Sequence, residues 1–171
     1  MSSIDEPVNI VEYRDTWPLV FAAEAERLSE MTSPVFCIEH IGSTAVPGLA
    51  SKPVIDVMLG MDPFPRPDSV VQTLSRLGYE SLGEAGIRER LYFRRRGSPN
   101  VSVHVVQQGG QHWAQNLALR DYLRSDAEAR AKYSEAKRSI VASGADTLLA
   151  YSEAKASTIS AILSEAFALT K

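Results

Sequence analysis

Two apolar segments separated by a polar turn constrain the fold of this chain more than any other feature. Residues 35–41 and 53–59 are each predicted to form a buried strand, and Gly42 and Ser43 open the turn between them. The second strand carries Asp56 between apolar neighbours. Because a buried carboxylate must be paired or must bind a cation, this pattern predicts either a structural salt bridge or a ligand site at Asp56.

The remaining pattern predicts a mixed α/β protein. Further strands are expected at residues 79–82, 91–95 and 101–106, and helices at about residues 16–32, 69–77, 113–123, 125–143 and 147–169. Ser125, followed by Glu128 three residues later, predicts a capping box for the fourth helix. We expect one domain over residues 1–171, with a sheet of four or five strands and flanking helices within about residues 10–110. A helical C-terminal part follows over about residues 111–170.

Composition narrows the classes of protein that fit. The chain has 171 residues and a formal net charge of −3, which argues against general nucleic-acid binding because that depends on clustered cations. Cys37 is the sole cysteine, so an intrachain disulfide is impossible. The first residues do not resemble a signal peptide, and no apolar run approaches the roughly 20 residues of a membrane span. We therefore expect a cytoplasmic protein without a membrane partner; the sequence leaves its oligomeric state open.

The turn after the first strand has the composition of an anion site. Gly42 permits close approach of the backbone to a ligand, and Ser43 and Thr44 supply hydroxyl donors. The N–H groups of a following helix would point at a bound phosphate. The simpler alternative is a glycine turn with capping hydroxyls. Asp56 has a similar alternative, a structural salt bridge to Lys52.

Motifs along most of the chain resemble one protein family. Residues 38–56 have the sequence IEHIGSTAVPGLASKPVID, which closely resembles the GrpB family (also called UPF0157). The similarity extends from about residue 10 to residue 168. Its other segments are Arg14-Asp15-Thr16-Trp17-Pro18, Gly83-Glu84-Ala85-Gly86-Ile87, Leu119-Arg120-Asp121-Tyr122-Leu123, Tyr133-Ser134-Glu135-Ala136-Lys137 and Tyr151-Ser152-Glu153-Ala154-Lys155.

The resemblance implies a nucleotidyltransferase-like fold and chemistry. The GrpB family is similar to nucleotidyltransferases that carry Gly-Ser after one strand, Asp-x-Asp on the next and a third acid on a later strand. Those acids hold two divalent metals, Mg²⁺ or Mn²⁺, which clamp a triphosphate and activate an acceptor hydroxyl. By this resemblance Ser43 binds phosphate and Asp56 is the first metal-binding acid. The implied ligand is a nucleotide or another phosphorylated small molecule.

This chain departs from the nucleotidyltransferase pattern at the other acids. Met58 stands where the second acid would be, on the same face as Asp56. The later strand offers Ser102 and His104, where the GrpB family usually has His-x-His. Asp56 and His104 are thus the implied catalytic and metal-binding residues, with Glu39 as a possible further ligand. These few donors make a two-metal site incomplete.

Several other residues are candidates for the same cleft. Strand alternation places Glu39 and His40 on opposite faces, so only one of them can face Asp56. His40 adjoins the glycine turn and is expected either to bind the ligand or to orient a ligand-binding residue. Arg94 is a candidate phosphate contact, although solvent-facing charge is the simpler interpretation.

The C-terminal helices carry a repeated pattern of tyrosine and lysine. Each pair is spaced i,i+4 and shares one helix face, where lysine would offset phosphate charge and tyrosine would stack on a base. A solvated helix face with a packed tyrosine is the alternative. The predicted nucleotide-binding residues, besides those of the turn, are Lys52, Arg120, Tyr122, Lys137, Tyr151 and Lys155.

Three functional hypotheses follow from these observations. The first is an enzyme that transfers a nucleoside monophosphate to a small-molecule or protein acceptor. The second is a module that binds a nucleotide or a coenzyme A-type ligand and has lost two-metal chemistry; the resemblance supports it because GrpB-like domains occur fused to dephospho-coenzyme A kinases. The third is a metal-dependent enzyme of another class, such as a ligase or phosphotransferase. Met58 weakens the first hypothesis most.

Overall fold

The described part of the chain forms a five-stranded mixed sheet with helices on both faces. The computed structural model describes residues 5–29, 37–64, 67–145 and 147–168. The strands are β1 (Cys37–Ile41), β2 (Ile55–Met61), β3 (Glu80–Ser81), β4 (Arg90–Arg95) and β5 (Val101–Gln107). The helices are α1 (Trp17–Ser29), α2 (Pro67–Arg76), α3 (Gln111–Ser125), α4 (Ala127–Ala142) and α5 (Leu148–Ala168). A one-turn 3₁₀ helix, Ser43–Ala45, follows β1.

The strand order brings the two polar strands together at the centre of the sheet. The order is β1-β2-β5-β4-β3, with β2 and β5 parallel and the other neighbours antiparallel. The register pairs Asp56 with Ser102 and Met58 with His104. Since residues paired across neighbouring strands project from the same face, these four residues share one face of the sheet.

The opposite face is a continuous apolar core. Val57 and Leu59 of β2 alternate with the polar-face residues, and Val101, Val103 and Val105 of β5 share their side, because alternate residues of a strand project from one face. Helices α1 and α2 close this face with a further group of buried side chains. Those side chains include Trp17, Leu28, Val70 and Leu74.

The polar face is covered only in part. Met58 is fully buried with Ile41 and Val106, and Trp113 and Leu117 of α3 pack over them. A Cβ atom at Gly60 would lie 2.5 Å from Trp113 Cζ3. Helix α3 therefore seals this end of the face, and the end that carries Asp56 stays open.

The C-terminal helices pack on the loop that follows β1. Val46 and Leu49 of that loop are buried with Leu123, Tyr133 and Ile162, which come from α3, α4 and α5 respectively. The predicted helical C-terminal part is thus confirmed, and it forms the second wall of the open end. No helix in the described part of the chain combines the length and the apolarity that crossing a bilayer requires.

The predicted architecture is confirmed, and two local expectations need correction. Asp126, rather than Ser125, caps α4, because its carboxylate accepts a hydrogen bond from Ala129 N at 2.8 Å. The helix expected after the glycine turn is only the 3₁₀ turn Ser43–Ala45, so it offers a phosphate little helix dipole. Residues 35–36 of the predicted first strand, residues 30–32 of the first helix and residue 169 of the last helix lie outside the described residues.

Candidate functional site

A cleft of about 690 Å³ opens on the polar face of the sheet. Its floor is the Asp56 end of β2 with the neighbouring part of β5, and its walls come from the β1 loop, residues 85–87, α3 and α5. The lining includes Gly42, Ser43, Lys52, Asp56, His104 and Arg120. The structure thus brings together polar residues that are far apart in the sequence.

Asp56, His104 and Arg90 form a hydrogen-bonded chain across the floor. His104 Nε2 lies 3.2 Å from Asp56 Oδ1, and His104 Nδ1 lies 3.4 Å from Arg90 Nη1. An arginine only donates hydrogen bonds, so Nδ1 must accept and the proton of a neutral ring lies on Nε2. Burial lowers the pKa of His104, Asp56 opposes this shift, and the nearby Arg90 charge adds to it. His104 is therefore a neutral donor to Asp56.

Asp56 is an anion at neutral pH, although it lies in a partly buried position. Burial alone would raise the pKa of its carboxyl group, but the hydrogen bond from His104 and the charges of Lys52 and Lys155 hold that pKa below its ordinary value. The Asp56 side chain is 30% exposed, so one side of the carboxylate faces the cleft. This arrangement leaves a buried, cation-stabilised negative charge accessible to a ligand.

Gly42 is required at its position by two independent constraints. Its φ of +71° lies in the left-handed region that side chains disfavour. A Cβ atom here would lie 2.6 Å from Asp56 Oδ2. The glycine therefore lets the Asp56 carboxylate pack directly against the turn.

Two lysines place positive charge in the cleft. Lys52 leads into β2, and burial lowers its pKa while the Asp56 charge opposes that shift. Lys155 of α5 lies over the Tyr151 ring, with its ammonium 5.1 Å from the ring centroid. Both lysines line the cleft together with Tyr151, and all three are among the residues predicted to bind the ligand.

Lys137 has a different environment from Lys155, although both follow a tyrosine at the same spacing. Lys137 is 1% exposed, and its Nζ lies 3.0 Å from Ser43 Oγ and also donates to Ala50 O. Burial, with the added charges of Lys155 and Arg138, lowers its pKa to about 7. Lys137 thus lies behind the Ser43 turn instead of presenting an ammonium group to the cleft.

Glu39 lies on the Asp56 face of β1 and is held by an arginine. Arg120 Nη1 of α3 lies 2.6 Å from Glu39 Oε2 and 3.1 Å from His40 O. The Arg120 Nε atom donates to Asp121 Oδ1 at 2.8 Å. Arg120, a predicted ligand-binding residue, lines the cleft, and its ion pair engages the Glu39 carboxylate that the sequence suggested as a further metal ligand.

His40 and Thr44 belong to the opposite side of β1. The His40 ring stacks on Phe21 of α1 at 4.5 Å between centroids, and its Nε2 lies 3.0 Å from Thr44 Oγ1. Burial lowers the pKa of His40 to about 4, so the ring is neutral. Both residues are buried, and they support the turn from beneath.

Arg94 and Tyr122 have protein partners away from the cleft floor. Arg94 is buried and its Nε donates to Glu80 Oε2 at 2.9 Å, with Glu6 Oε2 at 3.7 Å from Nη1. The Tyr122 hydroxyl donates to Glu165 Oε2 at 3.3 Å. These contacts are structural, and the structure does not place either residue with Asp56.

Arg90, Tyr92 and Ser102 complete the polar face and are absent from the sequence-based candidates. Tyr92 OH lies 2.9 Å from Ser102 Oγ, and the Arg90 guanidinium lies 4.8 Å from the Tyr92 ring centroid. The β4–β5 register pairs Tyr92 with His104. The predicted strands at residues 91–95 and 101–106 contained part of this signal, because alternate residues of a strand that pairs with β5 must share the face of His104.

The donor set for a metal is small. Within residues 5–29, 37–64, 67–145 and 147–168, no cluster of three or more His, Cys, Asp or Glu side chains could hold a metal ion. Met58 is buried beneath α3, and Ser102 is buried against Tyr92. A metal on His104 Nε2 would need the proton on Nδ1, where Arg90 already donates. The residues present do not fit a two-metal centre.

Fold and cleft together define a mixed α/β protein with a buried carboxylate, lysines and a histidine around one ligand-sized opening. A family model described as GrpB protein matches residues 7–165. The chain belongs to the GrpB family, which confirms the resemblance seen in its motifs. A crystal structure of conserved protein GrpB from Enterococcus faecalis superimposes with a TM-score of 0.83 and 32% identity, covering 92% of this chain and 96% of that one.

Curated relatives show the same relationship. The UPF0157 protein YqkA of Bacillus subtilis is 33% identical over 137 residues, which are 79% of this chain and 40% of that protein. A UPF0157 protein of Pseudomonas aeruginosa is 32% identical over 175 residues, covering 98% of this chain and 71% of that protein. A dephospho-CoA kinase of Mycolicibacterium paratuberculosis is 27% identical over 162 residues, covering 39% of its length. The chain therefore spans less than half of YqkA.

Proposed function

We propose that this protein binds a phosphorylated ligand of the nucleotide or coenzyme A type in the cleft on the polar face. The observation that carries the proposal is the placement of Lys52 and Lys155 in one cleft with the Ser43 turn. Lysine ammonium groups act as point charges for phosphate, and burial strengthens their interaction with an anion. These groups define the phosphate end of the ligand.

The cleft also has apolar lining that suits an apolar or aromatic part of the ligand. Leu119 and Leu123 of α3 and Ile159 and Leu163 of α5 are among its lining residues. The volume of about 690 Å³ lies within the range of small-molecule and cofactor sites, about 300–1,000 Å³. A nucleoside or a pantetheine arm matches this surface, whereas inorganic phosphate alone would leave most of it unoccupied.

The similarity to a dephospho-CoA kinase supports the same class of ligand. That protein is 27% identical to this chain over 162 residues. Fold-level likeness does not establish a shared activity. It supports adenine nucleotides and coenzyme A derivatives as the ligands to test first.

A divalent cation would bind here through Asp56 and the ligand itself. Mg²⁺ is commonly held by one or two carboxylates together with substrate phosphates, and Asp56 supplies one such carboxylate. His104 already donates to Asp56, and Glu39 is paired with Arg120. We therefore propose ligand binding with one cation, Mg²⁺ or Mn²⁺, and not nucleotidyl transfer by two metals, for which Met58 and Ser102 offer no acid.

Isothermal titration calorimetry tests the proposal directly. ATP, GTP, coenzyme A and dephospho-coenzyme A are titrated with and without Mg²⁺ or Mn²⁺. We expect at least one ligand to bind, and Lys52→Met to weaken that binding about tenfold or more, because a charge-assisted contact contributes about 1.5–3 kcal/mol. Lys132→Met is the matched control, since Lys132 is exposed and pairs with Glu128 on α4.

Two results would contradict the proposal. One is the absence of binding by every nucleotide and coenzyme A derivative to the folded wild-type protein. The other is equal binding by wild type, Lys52→Met and Asp56→Asn, since the cleft would then not be the site. The circular dichroism spectrum of each variant shows whether it is folded.

A further inference from the structure

Ser43 and Lys137 form a contact that ligand binding by itself does not use. Ser43 lines the cleft, and Lys137 reaches it from behind, with Nζ 3.0 Å from Oγ. A hydroxyl exposed to a ligand with an amine on its buried side is the arrangement of an activated nucleophile and its base. Helix α4 and the β1 loop hold the two residues, so the contact belongs to the packed interior.

The surroundings of Lys137 allow its amine, when neutral, to accept a hydrogen bond from Ser43. Ala50 O is a carbonyl and must accept one N–H from Nζ. The Tyr133 ring lies with its centroid 4.8 Å from Nζ, and the electron-rich face of an aromatic ring attracts a second N–H. A neutral amine has two N–H bonds and one lone pair. The ammonium form donates to Ser43 Oγ, whereas in the neutral form, with its two hydrogens directed to Ala50 O and the Tyr133 ring, the lone pair is left to accept from the Ser43 hydroxyl.

The charges around Lys137 favour that neutral form. Lys155 of α5 and Arg138 of α4 both act on it as cations, and burial is the larger cause of its lowered pKa of about 7. The phenol beside Lys137 is Tyr133 of α4, which in turn interacts with Tyr151 of α5. Burial raises the pKa of Tyr151, so this phenol stays uncharged and does not offset the cations.

We propose that Ser43 is a nucleophile, with Lys137 as its general base, that attacks a phosphorus atom of a phosphoanhydride bound in the cleft. The Ser43 Oγ–phosphorus bond forms as the phosphoanhydride bond breaks, and the leaving phosphate or pyrophosphate takes the bonding electrons. The Oγ proton passes to Lys137 Nζ, which becomes an ammonium ion. Lys52 and Lys155 offset the charge on the phosphoryl oxygens. The choice of a phosphoanhydride rests on the proposed function, whereas the nucleophile and its base rest on the Ser43–Lys137 contact.

A fluorophosphonate probe tests the nucleophile without assuming the natural ligand. The probe forms an Oγ–phosphorus bond with an activated serine and releases fluoride, and peptide mass spectrometry locates the adduct. We expect labelling at Ser43 in wild type, none at this site in Ser43→Ala, and a rate about 100-fold lower in Lys137→Met, the lower range for general base catalysis. Lys132→Met is the control and should label like wild type.

The pH dependence separates a base from a structural lysine. The wild-type labelling rate should rise with pH and level off above about 7, the pKa of Lys137. Lys137→Arg keeps a cation at this position but cannot act as a base, so its rate should stay low at neutral pH. These two readouts keep the inference testable even if Lys137→Met fails to fold.

Defined outcomes overturn the inference. Folded wild-type protein that gives no Ser43 adduct shows that Ser43 is not an activated nucleophile. Labelling of Lys137→Arg at the wild-type rate with the wild-type pH profile shows that Lys137 is not the base. Calorimetric nucleotide binding without a Ser43 adduct refutes this inference and leaves the proposed function intact. If the fluorophosphonate probe labels Ser43 but incubation of the unlabelled protein with ATP and Mg²⁺ adds no mass to Ser43, the phosphoanhydride substrate is refuted. An adduct in a protein that binds neither a nucleotide nor a coenzyme A derivative refutes the proposed function while supporting the nucleophile.

Discussion

The two faces of the central sheet are built from the same strands but differ in how they are covered. On one face, Val57 and Leu59 of β2 are sealed under α1 and α2. On the other face, the alternate β2 residues are Asp56, Met58 and Gly60, and α3 seals only the last two. We call the first the closed face and the second the open face. The closed face carries the larger cluster of buried apolar side chains, whereas the open face retains a charge beside a cleft.

The largest effect is expected from removing an aromatic side chain from the closed face. Phe93 of β4 is fully buried there, so Phe93→Ala should lower the free energy of unfolding by about 3–5 kcal/mol through lost contacts and a cavity. Urea denaturation followed by circular dichroism measures the change. Leu149→Ala is the control at the rim of the open face, where Leu149 is 50% exposed. A similar loss in both variants would contradict the distinction between the faces.

Lys137, the buried lysine beside the open face, should make the free energy of unfolding depend on pH in the range above neutrality. The pKa of Lys137 is about 7 in the folded protein against an ordinary value of 10.5. Between these values the unfolded chain binds a proton that the folded protein does not, so stability should rise with pH. The gain from about pH 7 to about pH 10 should be about 4 kcal/mol at 1.36 kcal/mol per unit. Urea midpoints across this range measure it, and Lys137→Met should flatten the profile.

His40, on the closed-face side of β1, should make the free energy of unfolding depend on pH in the range below neutrality. Burial lowers its pKa from the ordinary 6.5 to about 4, so the unfolded state binds a proton first as the pH falls. Stability should therefore decrease by about 3 kcal/mol as pH falls from about 6.5 to about 4. Thermal melts of wild type and His40→Gln test this expectation. His112→Gln, at a half-buried histidine of α3 whose Nε2 lies 2.7 Å from Arg88 O, is the control and should keep the wild-type profile; a flat wild-type profile would contradict the prediction.

The smallest effect on stability, and the sharpest test of the open face, is expected from a pair of glycine variants. Gly42 and Gly48 have φ values of +71° and +79°, so an alanine at either position should cost about 1–2 kcal/mol of left-handed strain. Only at Gly42 does the added Cβ meet a side chain, Asp56 Oδ2 at 2.6 Å. Gly42→Ala should therefore weaken ligand binding in calorimetry and Gly48→Ala should not. Equal binding by both variants would show that the position of Asp56 is unimportant.

Local patterns were sufficient to predict most of the fold. Alternation along β5 placed Val101, Val103 and Val105 on one face and Ser102 and His104 on the other, because successive strand residues point in opposite directions. The same rule separated Glu39 from His40. These predictions depend only on backbone geometry over a few residues, and the observed register confirms them.

The site required tertiary information that local patterns do not contain. Arg90 escaped prediction because its role depends on donating to His104 from a neighbouring strand. Arg120 was predicted to bind phosphate, and its contact with Glu39 arises only because α3 packs beside β1. Such contacts join residues that are far apart in the sequence, so their partners follow from packing and not from spacing.

The two tyrosine–lysine pairs show which properties the sequence determines and which only the tertiary structure determines. Spacing alone put Tyr133 with Lys137, and Tyr151 with Lys155, on a common helix face, since residues four apart are neighbours on a helix. Packing then gave the lysines opposite environments. Helix α4 presses Lys137 against the Ser43 turn, where burial removes water from its ammonium group and lowers its pKa. Helix α5 borders the cleft, so Lys155 faces the space that a ligand would fill.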